Sequence, residues 1–189
     1  DEFSDSIVAS FMRSLLTKPD KTNKCDVSLF LPKSISEHIS KICNNSEVLV
    51  FTFHLAALNA LLNKYSKSDK LIIGSSNFEN LEEENTDLGE GLVFFKSEIA
   101  KNVSFKELFG KLKEEVFDTA HHQAVSLDDL TQISKQNIEN IFEFGFFIED
   151  IHEENTLLDK FDLLFKIKNT SGEKLLNIAF DEYKFDENL

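Results

Sequence analysis

The sequence has no tryptophan, a single arginine and only two cysteines among its 189 residues. Phenylalanine is abundant, with 19 residues, so we expect a core of Phe, Leu and Ile. Cys25 and Cys43 have the spacing of neither a metal site nor a redox motif, and they suit a reducing cytosol. No apolar run reaches the roughly 18 residues of a membrane span, and the start of the chain lacks a signal-peptide pattern. These absences predict a cytoplasmic protein without a spanning helix.

Positive charge is also scarce. Lys plus Arg is 20 against 34 for Asp plus Glu, which gives a net charge of −14. Because Arg13 is the only arginine, binding to nucleic acid or to an anionic membrane surface is not expected. The length suits one domain, and 41% hydrophobic with 29% charged residues is typical of globular proteins. The chain starts at Asp1 rather than Met, which indicates a piece of a longer protein.

Two S-x-x-E patterns predict capping boxes at helix starts, Ser34 with Glu37 and Ser104 with Glu107. Behind Ser104 lies the most regular amphipathic pattern of the chain, at residues 105–117. Residues 47–65 are apolar nearly all the way round, which predicts a central helix buried on most sides. The helix behind Ser34 should bury one apolar face, formed by Ile35, Ile39, Ile42 and Cys43.

Alternating or continuous apolar runs predict six strands, and the last two are joined by a hairpin turn at residues 169–172. The predicted strands are residues 27–31, 70–74, 92–99, 142–146, 161–167 and 176–180. The fold class that follows is α+β, a two-layer sandwich with helices on one face of a mostly antiparallel or mixed sheet. Residues 1–24 are predicted to be an N-terminal helical segment or linker, and residues 25–189 to form the domain.

His121 and His122, followed by Asp128 and Asp129, are the first candidates for a base or a metal site. They fall at the end of the predicted helix, where positive charge complements the helix dipole, and no further Cys or His lies at ligand spacing. A structural role is therefore the better interpretation. The same holds for residues 89–91, Gly-Glu-Gly, which are too short for a phosphate loop.

The remaining candidates also favour structural roles. His152-Glu153 begins like a zinc-protease motif, but position 156 holds Thr156 instead of the second histidine. Cys43 is predicted to be a buried structural thiol, and His54 a hydrogen-bonded histidine of the core. The motifs alone therefore predict no catalytic, cofactor-binding or metal-ligating residue in this chain.

Taken in order, Phe30-Leu31-Pro32 with the amphipathic helix behind it, and five further segments, resemble the second half of a nonribosomal peptide synthetase condensation domain. Residues 53–65 resemble a helix of the form LLAAxxxLLxxY, and residues 69–74 a strand ending in D-x-x-I-G. Residues 104–108 resemble S-F-x-E-L, residues 122–130 resemble H-Q-x-x-P-F-E-x-L, and residues 160–163 are K-F-D-L. Each segment is weak alone, but their order and spacing across residues 29–185 are much more specific.

The resemblance implies one half of a chloramphenicol acetyltransferase-like fold, in which two lobes meet at a substrate tunnel. This chain would be the C-terminal lobe, forming a tunnel wall where carrier-bound thioesters are joined by an amide bond. The catalytic H-H-x-x-x-D-G motif belongs to the other lobe; His121-His122 is not that motif, because Ser126 and Leu127 stand where Asp and Gly are required. The lobe alone is therefore expected to be inactive, with no cofactor bound and with substrates on the phosphopantetheine arms of carrier proteins.

The implied partners are the N-terminal lobe and the peptidyl carrier and adenylation domains, and an exposed lobe face would also permit self-association. The sequence departs from the family pattern in the tunnel segment, residues 87–93, which lacks the expected Asn and Thr, and at Ser126, which replaces a proline. A divergent, non-catalytic binding or scaffold domain with the same fold is one alternative. A related acyltransferase fragment that uses coenzyme A or a carrier protein is another.

Overall fold

The computed structural model describes residues 24–66, 68–78, 91–100, 102–121, 125–126, 143–152 and 156–181. Within these residues the chain forms one sheet, three α-helices and a short 3₁₀ helix, Thr156–Lys160. The helices are α1 Lys33–Ile42, α2 Glu47–Ser66 and α3 Phe105–His121. The strands are β1 Lys24–Phe30, β2 Lys70–Ser76, β3 Gly91–Glu98, β4 Val125–Ser126, β5 Phe144–Ile148, β6 Leu163–Thr170 and β7 Glu173–Asp181.

The strands lie in the order β1-β7-β6-β5-β2-β3-β4. β5 runs parallel to both of its neighbours, β2 and β6, whereas the other pairs are antiparallel. The α+β class with a mixed sheet is confirmed. β5 and β6 are parallel because the connection between them, which contains the 3₁₀ helix, returns the chain to the same end of the sheet.

The main core lies between the sheet and the helices. Phe144, Phe146 and Ile148 alternate along β5 and point to the side on which Phe51 and Leu55 of α2 are completely buried. α3 contributes Leu108, Leu112 and Val116 to the same core. We call this side of the sheet the helix face and the opposite side the open face.

α2 is long enough and apolar enough to cross a membrane, so the expectation that no segment reaches that length is wrong. Its side chains show what it does instead: Phe51, Leu55 and Leu62 are buried in the core of the domain. Leu61 and Tyr65 are exposed, so burial on most sides is also wrong for the last two turns. The helix has one buried face, as the core helix of a globular domain does.

The two predicted capping boxes have different outcomes. At α3, the Ser104 backbone N–H and hydroxyl both donate to the Glu107 carboxylate at 2.8 Å, and the Glu107 N–H donates back to the hydroxyl. At α1, Pro32 is the N-cap and Ser34 lies inside the helix, with no side-chain cap. The predicted apolar face of α1 is also only half buried, because Ile39 and Cys43 are buried while Ile35 and Ile42 are exposed.

The hairpin between β6 and β7 is confirmed. Thr170 pairs with Glu173 across a two-residue turn, and Ser171 and Gly172 both have positive φ angles, 53° and 85°. Positive φ at both positions is the type I′ geometry that matches the twist of the flanking strands. The turn therefore fixes the register of the longest antiparallel pair in the sheet.

Candidate functional site

The open face of the central strands carries a floor of two glycines. Gly74 on β2 pairs directly with Gly145 on β5. A Cβ added at Gly74 would clash with Cζ and lie 2.6 Å from Cε1 of Phe161, and one at Gly145 would lie 2.7 Å from Cγ of the same ring. Real Cβ atoms do not approach so closely, so the completely buried Phe161 ring rests on bare backbone.

The Phe161 ring is the centre of a second, smaller core on the open face. Leu158 of the 3₁₀ helix belongs to it, together with side chains from three strands. Those strand residues are Leu92, Phe147 and Leu164. The 3₁₀ helix therefore covers the open face across the neighbouring strands β6, β5, β2 and β3, while α2 and α3 pack on the other side.

The K-F-D-L segment is held by hydrogen bonds to the carbonyls of its two middle residues. Lys24 on β1 donates from Nζ to the carbonyl of Phe161 at 2.5 Å, and the Asp181 N–H on β7 donates to the carbonyl of Asp162 at 3.2 Å. The segment is not wholly a strand, because Lys160 ends the 3₁₀ helix and β6 starts at Leu163. These hydrogen bonds fix the backbone on either side of the Phe161 ring and therefore the position of the ring.

His152 is a buried histidine at the end of a parallel strand. It follows β5 and pairs with Phe78, which follows β2, in an isolated bridge. Its ring centroid lies 4.7 Å from that of Phe78 and 4.9 Å from that of Phe51. Nδ1 lies 3.0 Å from the carbonyl oxygen and 3.2 Å from the nitrogen of Ile148, whereas Nε2 has no hydrogen-bond partner among the described residues. Burial lowers the pKa of His152 from 6.5 to about 4, so the ring is neutral at pH 7.

The prediction for Cys43 is confirmed, whereas His54 is hydrogen-bonded as predicted but only half-buried. His54 Nδ1 lies 2.8 Å from the carbonyl oxygen of Val50 one turn earlier in α2, and burial lowers the pKa of His54. The Cys43 thiol donates to the carbonyl of Leu49, and burial raises its pKa. The Cys43 thiol is kept protonated, and because the thiolate is the reactive form, Cys43 has a structural role.

Most other predicted candidates lie outside the described residues. His121 is the last residue of α3, although the sequence placed it just past the helix end, and His122, residues 127–142 and residues 79–90 are not described. These ranges include Asp128, Asp129 and much of both the H-Q and the tunnel segments. In the part of the chain that is described, no three His, Cys, Asp or Glu side chains come together as metal ligands. The prediction that the chain carries no catalytic, cofactor-binding or metal-ligating residue stays a prediction.

Sequence reasoning missed the glycine floor and a side-chain hydrogen bond that joins the parallel strands β2 and β5. The Ser75 hydroxyl on β2 donates to the carbonyl of Phe146 on β5 at 2.6 Å, and both residues are buried. The signal for the floor was present, because Gly74 and Gly145 each interrupt an apolar strand, and a glycine inside a strand often marks a close approach. Nothing in the local pattern identifies Phe161 as the group that approaches.

Comparison with known proteins relates the chain to large peptide synthetases. No protein-family profile matches it. Bacitracin synthase 1 from Bacillus licheniformis is 22% identical over 173 residues, which are 86% of this chain and 3% of that protein. Surfactin synthase subunit 1 from Bacillus subtilis is 24% identical over 186 residues, which are 85% of this chain and 5% of that protein. The chain thus spans only a small part of these curated relatives.

Solved structures share the fold at low sequence identity. The condensation domain from the monacolin K polyketide synthase matches with a TM-score of 0.69 at 15% identity, covering 90% of this chain and 46% of that one. The cyclization-docking bidomain of a nonribosomal peptide synthetase from Sorangium cellulosum gives 0.69 at 11% identity, covering 100% and 46%. The X-domain from teicoplanin biosynthesis, solved in complex with OxyB, gives 0.65 at 15% identity, covering 98% and 50%.

These matches agree with the order of segments found in the sequence and with the mixed sheet. The chain matches about half of each condensation-type structure, which is the size of one lobe. Another match is a four-domain nonribosomal peptide synthetase, of which the chain covers 18%, so the fold also occurs beside other domains. The chain is a relative of the nonribosomal peptide synthetases and has the fold of a condensation-domain lobe, as its resemblance to the C-terminal half of that domain predicts.

Proposed function

We propose that the chain is the C-terminal lobe of a condensation domain and supplies one wall of the tunnel in which the parent enzyme forms amide bonds. The observation that carries the proposal is the fold match, since nine tenths of the chain superposes on slightly less than half of a condensation domain. On this proposal, the first partner of the chain is the N-terminal lobe of the same condensation domain. Further partners on this proposal are peptidyl carrier and adenylation domains in the cytoplasm.

The lobe is inactive alone on this proposal. His152 is buried and His54 is half-buried, and each has Nδ1 beside a backbone carbonyl. Burial lowers both pKa values, which makes each imidazole a weaker base than a free histidine. The H-H-x-x-x-D-G motif that the family uses would come from the other lobe. Substrates would arrive on the phosphopantetheine arms of carrier proteins, so the lobe needs no resident cofactor.

The test starts with the reading frame on both sides of the segment. An upstream lobe with an in-frame H-H-x-x-x-D-G motif, followed by carrier or adenylation domains, is the expected result. The two-lobe protein, mixed with an acyl-loaded donor and an aminoacyl-loaded acceptor carrier, should then form the amide, detected by mass spectrometry. The present chain alone, and the two-lobe protein with the second motif histidine replaced by alanine, are the controls and should form none. No amide from the wild-type two-lobe protein would overturn the proposal.

A non-catalytic binding lobe is the second candidate. Two observations favour it: the tunnel segment at residues 87–93 lacks the family's Asn and Thr, and one of the matched structures is an X-domain in complex with OxyB. On this alternative the upstream lobe lacks the histidine motif and the two-lobe protein forms no amide. The coenzyme A-dependent acyltransferase stays a prediction that no further observation favours.

A further inference from the structure

The first strand of the chain is exposed on both faces and lies at the edge of the sheet. Six of the seven residues of β1 are exposed, and Val27, Leu29 and Phe30 expose 47%, 44% and 57% of their surface. Within the described part of the chain, β1 pairs only with β7, so it is the outermost strand on that side. An exposed edge with apolar side chains is a template for pairing with another strand.

The charges of β1 do not protect this edge. Proteins usually block an edge strand with a lysine, a proline or a bulge. The lysine of β1, Lys24, instead reaches across its own sheet to the carbonyl of Phe161, and the Asp26 carboxylate accepts a hydrogen bond from Asn177 of β7 at 2.9 Å. Both charges are therefore engaged on the sheet side of the strand, and β1 pairs with β7 at every residue without a bulge.

The sequence of β1 is complementary to itself in an antiparallel register centred on Val27. Val27 is the midpoint of the strand, so a two-fold axis through Val27 pairs all seven residues of one copy with those of the other. Cys25 then faces Leu29 of the second copy on the helix face, and Asp26 faces Ser28 of the second copy on the open face. An axis through Asp26 would place two carboxylates opposite each other, which disfavours that register.

We propose that β1 pairs antiparallel with β1 of a second copy of this chain, with the two-fold axis at Val27, to form one continuous sheet. Val27 and Leu29 lie beside Ile178 and Leu176 on the helix face, so pairing extends an existing apolar row across the axis. The net charge of −14 on each copy opposes association, so added salt strengthens it by screening. This inference does not rest on the proposed function.

The first test measures association of the whole chain by analytical ultracentrifugation, up to about 100 μM, so that a Kd near 10 μM is visible. We expect a dimer that is tighter at high salt than at low salt. Val27→Lys places two like charges opposite each other and should weaken the dimer by at least about tenfold. The matched control is Leu61→Lys, which puts a lysine at a similarly exposed leucine on α2 and should leave the dimer unchanged.

The second test reads the register and does not depend on the lysine variant. In a Cys25→Ser background, Val27→Cys places two thiols opposite each other, within disulfide reach, and should cross-link on oxidation. Ser28→Cys in the same background leaves its two thiols on diagonal positions, about 7–8 Å apart, and should not. A chain that stays monomeric at all salt concentrations, or a dimer in which neither Val27 variant differs from its control, would overturn the proposal.

Discussion

Replacement of Gly74 by alanine tests the contact at the centre of the open face. The added methyl group would lie 2.6 Å from Cε1 of Phe161 and 3.1 Å from Cε1 of Phe94, whereas carbon atoms in cores prefer about 3.5–4.0 Å. The Phe161 ring is completely buried and its carbonyl is bound by Lys24, so the ring cannot move away freely. Overpacking of this kind costs about 1–3 kcal/mol, and we expect the upper part of that range.

The measurement is the melting temperature by calorimetry, which should fall by about 5–10 °C for a chain of this size. Gly110→Ala is the matched control, because Gly110 lies inside α3 and nothing lies within 4 Å of the position of its Cβ. That variant should stabilise the chain, since alanine is favoured over glycine in a helix by about 1 kcal/mol. A Gly74→Ala protein as stable as the wild type would refute the close contact between Phe161 and the strand backbone.

Three further predictions concern His152, the caps and Cys43. Burial lowers the pKa of His152 in the folded chain from 6.5 to about 4, so the unfolded chain takes up a proton on this ring at a higher pH than the folded chain does. The free energy of unfolding is therefore at its full value above pH 6.5 and decreases as the pH falls towards 4. Denaturant titrations should show a loss of about 3 kcal/mol over that window, and much less for His152→Gln; equal losses would contradict this role for His152. Ser104→Ala should lower the melting temperature by about 2–4 °C through loss of the cap, whereas Ser34→Ala, in the same S-x-x-E pattern, should have little effect; equal shifts would contradict the assigned caps. In a Cys25→Ser background, Cys43 should react with Ellman's reagent only on unfolding, and rapid reaction of the native chain would show that it is accessible.

The two S-x-x-E patterns show why local sequence predicts a helix better than its first residue. Both helices exist, but α1 starts at Lys33, since the Pro32 carbonyl already accepts hydrogen bonds from the Ile35 and Ser36 N–H groups. Pro32 has a non-helical ψ of 129° and is the N-cap, so the first helical residue is Lys33 and Ser34 already lies inside the first turn. The motif at Ser104 has no such competitor, and there the predicted box forms.

The central strand shows a different limit. Alternation of Phe142, Phe144 and Phe146 predicted a strand with one buried face, but all five residues of β5 are buried. A strand buried on both faces lacks a clear period, so the pattern could not identify its neighbours or its direction. β5 is buried on the open face by Phe161 and Leu158, which follow it in the chain and whose position depends on the connection to β6. The burial of the open face of β5 therefore could not be predicted from the sequence of the strand itself.

Two of the segments that carry the family resemblance, residues 69–74 and 160–163, take part in core packing. The segment at residues 69–74 ends on Gly74, which lies inside β2 and has no room for a side chain, and K-F-D-L contains Phe161, the ring that fills that room. The two motifs are distant in sequence and fit each other in space, so their joint presence reports a shared core. A shared core fixes the fold, but the chemistry of a condensation domain depends on residues elsewhere. The melting temperature of Gly74→Ala therefore tests the fold. The search for the upstream histidine motif and the amide assay test the function, and each prediction can be wrong while the other is right.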